Sequence, residues 1–168
     1  LGHGGAEKVL VNLVNNMDKT KFDITVMTLF DGGVNRQFLS PDVTYKTCFR
    51  KSIPGNSHIM KLWSPEQLHK HLIKESYDIE IAYLEGPSAR VISGCPNPDT
   101  KLLSWIHCTM KDENELAVGF RNFEEAKNVY QKFDESVFVS QSAQTAFQKL
   151  LPEISGKVLY NTSDTNYI

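Results

Sequence analysis

Cysteine is scarce in this chain of 168 residues, which contains only Cys48, Cys95 and Cys108. An odd number without a Cys-x-x-Cys pair argues against a disulfide framework and a zinc site, and it favours a reducing compartment. No apolar run is long enough to cross a bilayer, and no signal-peptide pattern is present. The net charge of -2 gives no electrostatic reason for a nucleic-acid partner. We therefore expect a cytoplasmic protein.

The bulk composition is ordinary for a globular protein, with 40% hydrophobic and 23% charged residues. The length fits one domain with a sizeable core, or a fragment of a larger protein. The chain begins with Leu and opens directly on a glycine-rich turn. We therefore expect a fragment whose opening strand is missing from the sequence.

Strand-like and helix-like segments alternate along the chain. Short runs rich in apolar and β-branched residues predict strands, and apolar residues at helical spacing predict helices. Such alternation favours βαβ units, hence one Rossmann-like, doubly wound α/β domain with a mainly parallel sheet and helices on both faces. The predicted strands are 22–30, 43–49, 77–84, 101–107, 136–139 and 157–160. The predicted helices are 6–17, 35–39, 65–75, 88–93, 122–133 and 142–151.

The strand at 101–107 is almost wholly apolar and ends in His107. Such a run is typical of a strand buried on both faces of a parallel sheet, and the run at 77–84 is interpreted in the same way. Open α/β sheets bind ligands at the carboxyl ends of their strands, where a histidine can exchange protons near neutral pH. His107 is therefore a candidate catalytic residue. The alternative is a histidine that caps the strand and bonds to a neighbouring backbone group.

Gly4 and Gly5 precede the first predicted helix. Backbone N–H groups at a helix N-terminus favour a phosphate, and glycine lets that phosphate approach closely. The pattern Gly2-x-Gly4 lacks the third glycine of the dinucleotide fingerprint. Gly4 and Gly5 are therefore candidate ligands of a diphosphate, and the alternative is a turn that merely lets the chain leave a strand.

Two acidic residues also follow predicted strands. Glu85, with Gly86 beside it, could accept a hydrogen bond from a hydroxylated ligand or cap the following helix. Asp31 lies about where a dinucleotide-binding domain keeps its ribose-binding acid, but we favour its interpretation as part of an Asp-Gly-Gly turn. We expect Arg90, one turn into the next helix, to face solvent.

His69 and His71 are two residues apart on a predicted helix, so they face different directions and do not form a metal-binding pair. We interpret both as solvated surface residues. The loop at 50–61, with basic residues among apolar ones, is a candidate for contact with a membrane surface, and a solvated loop is the alternative.

Five stretches together resemble the N-terminal domain of a family 4 (group 1) glycosyltransferase of the GT-B architecture. They are LGHGGAEK at 1–8, DIEIAYLEG at 78–86, SWIH at 104–107, FVSQ at 138–141 and VLYNTSD at 158–164. Each motif is loose, but their order and spacing cover nearly the whole chain. Thr162-Ser163 replaces the more usual Gly-Val of the family's interdomain hinge.

The resemblance implies a retaining hexosyl- or N-acetylhexosaminyltransferase that uses a nucleotide-sugar and no metal or other cofactor. Gly4 and Gly5 would contact the donor diphosphate, His107 would line the reaction centre, and Glu85 with Gly86 would contact the acceptor or sugar. The acceptor would be a polysaccharide, glycolipid or lipid-linked glycan, in cell-surface synthesis of bacterial type.

The same resemblance implies that residues 1–160 form the acceptor-side domain and that 161–168 begin the hinge. The donor-binding C-terminal domain, with its Glu-x7-Glu motif, would then lie outside this chain. Two other functions stay open at this point. One is a dinucleotide-binding oxidoreductase domain that uses Gly2, Gly4 and Asp31, and the other is a non-enzymatic nucleotide-sensing module, because fold does not fix function.

Overall fold

The computed structural model describes residues 1, 4–49 and 60–161. The chain divides into two compact units, which are described separately below. The first unit comprises residues 1–54 with 161–168, and the second comprises residues 55–160. Residues 50–59 of the loop at 50–61 and hinge residues 162–168 lie outside the described part of the chain.

Among its described residues, the first unit has one α-helix, a short 3₁₀ helix and two strands. They are α1 (Gly5–Asn16), β1 (Thr25–Phe30), the 3₁₀ helix (Val34–Phe38) and β2 (Thr44–Phe49). The two strands pair in parallel, with Thr25 opposite Thr44. Val11 and Val14 on the inner face of α1 pack into one cluster with Val26 and Val43. This apolar stripe at helical spacing is what fixes α1 in the unit.

The elements described in the second unit are five helices and four strands. They are α2 (Pro65–Leu72), β3 (Ile79–Ala82), α3 (Pro87–Ile92), β4 (Lys101–Ile106), α4 (Glu113–Leu116), α5 (Phe123–Tyr130), β5 (Glu135–Phe138), α6 (Gln141–Leu150) and β6 (Gly156–Val158). The four strands form one sheet in the order β3-β4-β5-β6, and every pairing is parallel.

Local sequence signals set several of these boundaries. Ser64 and Gln67 form a capping box at the start of α2, in which each side chain accepts a hydrogen bond from the other residue's backbone N–H. Pro65 occupies the first turn, where a missing N–H costs nothing. Ser140 caps α6 with a single hydrogen bond, which its side chain accepts from the N–H of Ala143.

The core of the second unit lies between the sheet and the helices that cover one of its faces. Its centre is aromatic, with the Phe138 and Phe147 ring centroids 5.5 Å apart and Tyr130 edge-on to Phe147 at 5.0 Å. All three side chains are at most 1% exposed. Burial of each such ring contributes about 1.5–3 kcal/mol, so this cluster holds α5 and α6 on the sheet.

The predicted α/β class with parallel sheets flanked by helices is confirmed, but β3 is not buried on both faces as expected. Ile79 and Ile81 are 46% and 43% exposed, whereas Glu80 and Ala82 are buried. In β4 the buried residues are Leu102, Ser104 and Ile106, and those between them are less buried. The apolar residues on both faces of these strands predict burial on both faces, although one face is partly exposed.

The short helix α4 is an element that the apolar periodicity did not predict. Asp112 starts it, because its carboxylate accepts from the N–H groups of Asn114 and Glu115. Among the described helices, none has the length and apolar character needed to cross a membrane.

Candidate functional site

His107 and Glu85 lie at the same edge of the second unit's sheet. His107 directly follows β4 and Glu85 follows β3 by three residues. The two strands run in parallel with Ala82 opposite Ser104, so their carboxyl ends meet. This is the edge at which parallel α/β sheets place ligands.

Glu85 is tied to the backbone of His107. Its Oε1 accepts a hydrogen bond from the His107 N–H and another, of 2.6 Å, from the Cys108 N–H. Charge-assisted bonds of this kind are about twice as strong as neutral ones. The carboxylate thus fixes the chain where it leaves β4, a role that the sequence did not suggest for it. Burial and the nearby Glu85 charge raise the pKa of the Cys108 thiol.

The ring of His107 packs on that of Tyr83. Their centroids are 4.7 Å apart at 55°, and Tyr83 also contacts Trp105 at 5.2 Å. Burial raises the pKa of Tyr83 to about 12, so its phenol stays protonated at neutral pH. The half-buried imidazole of His107 is therefore held on one side by an aromatic wall whose hydroxyl can act as a hydrogen-bond donor.

Gly86 and Gly119 form a close crossing of two loops beside this edge. Gly86 has φ +71°, and a Cβ there would lie 2.7 Å from the Val118 carbonyl oxygen. A Cβ on Gly119 would lie 2.6 Å from the Pro87 ring. Only glycine fits these conformations, so Gly86 has a structural requirement in addition to its predicted contact with ligand.

A shallow cavity of about 550 Å³ opens beyond the ends of β4 and β5. Its wall combines apolar surface, to which Met110 and Ala146 contribute, with several polar side chains. The polar side chains are those of Thr109, Lys111, Gln141, Ser142, Thr145 and Lys149. Hydroxyls, an amide and ammonium groups suit a hydroxylated or anionic ligand. Sequence reasoning missed this cavity, although the run Ser140-Gln141-Ser142 directly after a strand was a usable signal.

Gly4 and Gly5, in the first unit, begin α1 as predicted. Gly4 is the N-cap, and the first N–H groups of a helix have no partner within it. Nothing lies within 4 Å of a Cβ placed on Gly5, so this side of the turn is open. On the other side, a Cβ on Gly4 would lie 2.2 Å from the Glu7 carboxylate. An anion could therefore approach over Gly5 but would meet the charge of Glu7 near Gly4.

Asp31 forms part of a turn. Its Oδ1 accepts from the Gly32 N–H at 2.8 Å and from Arg36 Nη1 at 3.1 Å. Gly32 and Gly33 both have positive φ, as the Asp-Gly-Gly pattern predicts. These contacts favour the turn interpretation over a ribose-binding acid. Gly2, the other residue of the dinucleotide hypothesis, lies outside the described residues.

The expectation that Arg90 faces solvent is wrong. Its side chain is 1% exposed, with Nε 2.9 Å from Glu125 Oε1 and Nη1 2.7 Å from the Met60 carbonyl. Nη2 donates to the Trp63 carbonyl. Arg90 is thus a buried structural residue that holds the segment before α2.

The expectation that His69 lies on the solvated surface is also wrong, whereas His71 is exposed as predicted. His69 is 5% exposed, and its Nε2 lies 2.9 Å from the equally buried Glu80 Oε2. Helix α2 turns this histidine toward the sheet, and Glu80 points to the same side of β3. The alternation of β3 was the available signal for this pair.

The fold and the carboxyl-edge site define an α/β protein with parallel sheets and a histidine-containing candidate ligand site. No protein-family model, curated protein or solved structure matches the chain.

Proposed function

We propose that the chain is the acceptor-side, N-terminal domain of a retaining glycosyltransferase of the GT-B type. Its donor is a nucleotide-sugar, and its acceptor is a polysaccharide, glycolipid or lipid-linked glycan. The reaction needs no metal, and its partner in catalysis is a second, donor-binding α/β domain. The proposal places the enzyme in the cytoplasm, with peripheral contact to the inner face of the membrane.

The position of His107 is the observation that carries the proposal. Glu85 fixes its backbone and Tyr83 packs on its ring, at the carboxyl edge of a parallel sheet. A histidine held in this way keeps one orientation without an incoming ligand having to order it, which is how positioned groups accelerate a reaction. Its imidazole would hydrogen-bond a hydroxyl of the transferred sugar and align the anomeric carbon.

The neighbouring cavity supports a glycan as the acceptor. It is open and carries hydroxyl, amide and ammonium groups, and glycans present many hydroxyl groups that need hydrogen-bond partners. Lys111 and Lys149 in its wall would suit an acceptor that carries a phosphate, as lipid-linked glycans do.

Gly4 and Gly5 would contact the diphosphate of the donor. The open space over Gly5 and the N–H groups at the start of α1 suit a diphosphate oxygen. During transfer the bond between the sugar and the diphosphate breaks, and a bond from the same face of the sugar to the acceptor oxygen forms. The departing diphosphate takes the proton of the acceptor hydroxyl. Negative charge develops on the diphosphate, so donors aimed there lower the barrier. We assign no protein side chain as the general base.

Release of nucleoside diphosphate by the full-length protein tests the proposal. The protein is incubated with a panel of nucleotide-sugars and an acceptor extract, first as wild type and then as His107→Ala and Cys108→Ala. We expect one donor to be consumed, His107→Ala to remove most of that activity, and Cys108→Ala to keep it. The control changes the neighbouring residue, whose backbone N–H remains available to Glu85.

Two results would overturn the proposal. One is that no donor is consumed while a nicotinamide dinucleotide binds, which would favour the oxidoreductase hypothesis. The other is full activity in His107→Ala, which would remove the histidine from the reaction centre.

A further inference from the structure

We propose a second site, a binding site for one divalent transition-metal ion, formed by His69, Glu80 and Cys95. The imidazole Nε2 lies 2.9 Å and 3.1 Å from the two Glu80 oxygens. The Cys95 Sγ lies 3.7 Å from Glu80 Oε1. One donor atom from each residue falls within 4.8 Å of the other two. The ion of best fit is Zn²⁺.

Three separate elements bring these residues together. His69 comes from α2, Glu80 from β3, and Cys95 from the loop after α3. Gly94 makes the approach of that loop possible, because a Cβ there would lie only 2.0 Å from the Pro65 carbonyl oxygen. The start of α2 therefore packs directly on the residue before Cys95. Residues 26 positions apart in the sequence converge through packing of the backbone and not through a chance contact of long side chains.

The donor set is the one that zinc prefers. Zinc in proteins takes imidazole nitrogen, thiolate sulfur and carboxylate oxygen at about 2.0–2.3 Å, with four ligands in a tetrahedron. Neighbouring ligands of such a tetrahedron are roughly 3.3–3.8 Å apart. The sulfur–oxygen distance already fits this range, whereas the nitrogen–oxygen distance must open by a few tenths of an ångström.

Charge balance also favours a divalent ion. A neutral imidazole, one carboxylate and one thiolate carry two negative charges, which Zn²⁺ cancels. His69 and Glu80 are 5% exposed, where an uncompensated charge is costly. Binding releases the thiol proton of Cys95, and the imidazole must carry its proton on Nδ1 so that the Nε2 lone pair faces the metal.

A cavity next to the cluster supplies the fourth ligand position. It has a volume of about 490 Å³, and His69, Glu80 and Cys95 all form part of its wall. Water or a small ligand could therefore complete the tetrahedron, as at zinc sites with an open position. This combination of three protein ligands and an accessible fourth position distinguishes the cluster from a closed, purely structural contact.

The metal site is separate from the proposed reaction centre. Glu80 pairs with Leu102 of β4, and His107 lies five residues after Leu102 in the sequence. At about 3.3 Å per residue the two sites are roughly 16 Å apart, toward opposite ends of the strands. The metal would thus not take part in sugar transfer, and the inference does not depend on the proposed function.

Zinc binding to the full-length protein tests the site, with ZnCl₂ as the only added ligand. The protein competes with a chromophoric chelator for Zn²⁺, as wild type, Cys95→Ser and Cys108→Ser. We expect one Zn²⁺ per chain in wild type and in Cys108→Ser. Cys95→Ser should bind at least about 10-fold more weakly, since even loss of an outer partner of a metal ligand has that effect. Far-ultraviolet circular dichroism checks that both variants fold.

Two further measurements keep the test independent of any variant. Co²⁺ added to wild type should give the intense visible bands of a tetrahedral site and a thiolate charge-transfer band. Zn²⁺ should also protect Cys95, but not Cys108, from alkylation, as peptide mass spectrometry would show. Failure of wild type to bind either ion, or equal affinity in Cys95→Ser, would overturn the inference.

Discussion

The Glu85 carboxylate holds the backbone of His107, so the loop after β3 fixes the residue that follows β4. Glu85→Ala removes both bonds and leaves two N–H groups without their acceptor. We expect the free energy of unfolding to fall by about 2–3 kcal/mol, since hydrogen bonds to a charged group contribute about 1.5–3 kcal/mol. Denaturation in urea measures this loss.

Glu85→Gln is the matched control for Glu85→Ala. The amide oxygen can still accept from the two N–H groups without the charge, so we expect a loss of only about 1 kcal/mol. If the transfer activity of both variants falls in parallel with their stability, Glu85 acts on His107 through the backbone N–H of His107. Loss of activity in a stable Glu85→Gln would instead indicate a direct contact with the sugar.

Substitution by alanine should lower the stability of the protein at Gly86 but not at Gly5. Gly86→Ala places a Cβ at φ +71° and against the Val118 carbonyl, so we expect a loss of more than about 2 kcal/mol. Gly5→Ala adds a Cβ in open space at the start of α1, so stability should stay the same or rise by up to about 1 kcal/mol. Thermal unfolding compares the two.

The Gly5→Ala variant also tests the donor contact. Its methyl group would occupy the open space beside the first N–H groups of α1, so we expect weaker binding of the nucleoside diphosphate despite a stable fold. Calorimetric titration of the full-length protein gives the affinity. Unchanged affinity would exclude a close approach of the phosphate over Gly5.

Arg90 is a buried charged residue, and its replacement should lower the free energy of unfolding. Arg90→Met leaves Glu125 without its main cation and two carbonyls without donors, and breaking such a pair costs about 3–5 kcal/mol. The control is Arg121→Met, because Arg121 lies 3.9 Å from the same carboxylate but is 44% exposed. Its loss should cost less than about 1 kcal/mol. Equal losses in urea denaturation would contradict this assignment.

The sequence predicted most of the elements because their signals are local. Apolar and β-branched runs, apolar residues at helical spacing and glycine turns placed nearly all the described strands and helices within a few residues of their observed ends. The short helix α4 was missed because its signal is a single capping Asp112 with no apolar stripe. Burial of β3 was overestimated because Ile79 and Ile81 have the composition of a core strand but face outward.

The side-chain partners could not be predicted in the same way, because they depend on packing between distant segments. His107 and Glu85 were recognised as strand-end residues, but the bond of Glu85 to the next strand's backbone was not. Arg90 and His69 were assigned to the surface by their polarity. Each is buried because its side chain pairs with an acid distant in sequence, Glu125 or Glu80.

The ion pair between Glu66 and Lys132 should make stability depend on pH. The Lys132 ammonium, 2.7 Å away, together with hydrogen bonding at the start of α2, lowers the pKa of Glu66 to about 2 from 4.5. A carboxyl with a depressed pKa stabilises the fold above its unfolded pKa, and this stabilisation is lost as the pH falls from about 4.5 to about 2.

Comparison of wild type with Glu66→Gln isolates this effect from the other carboxyl groups. The Glu66 and Lys132 side chains are 59% and 43% exposed, so solvent screening should limit the difference in unfolding free energy to about 0.2–1 kcal/mol near neutral pH. The difference should vanish toward about pH 2, and Lys132→Met should show the same pH dependence. A difference that persists unchanged in acid would mean that Glu66 acts through packing or capping of α2 and not through its charge.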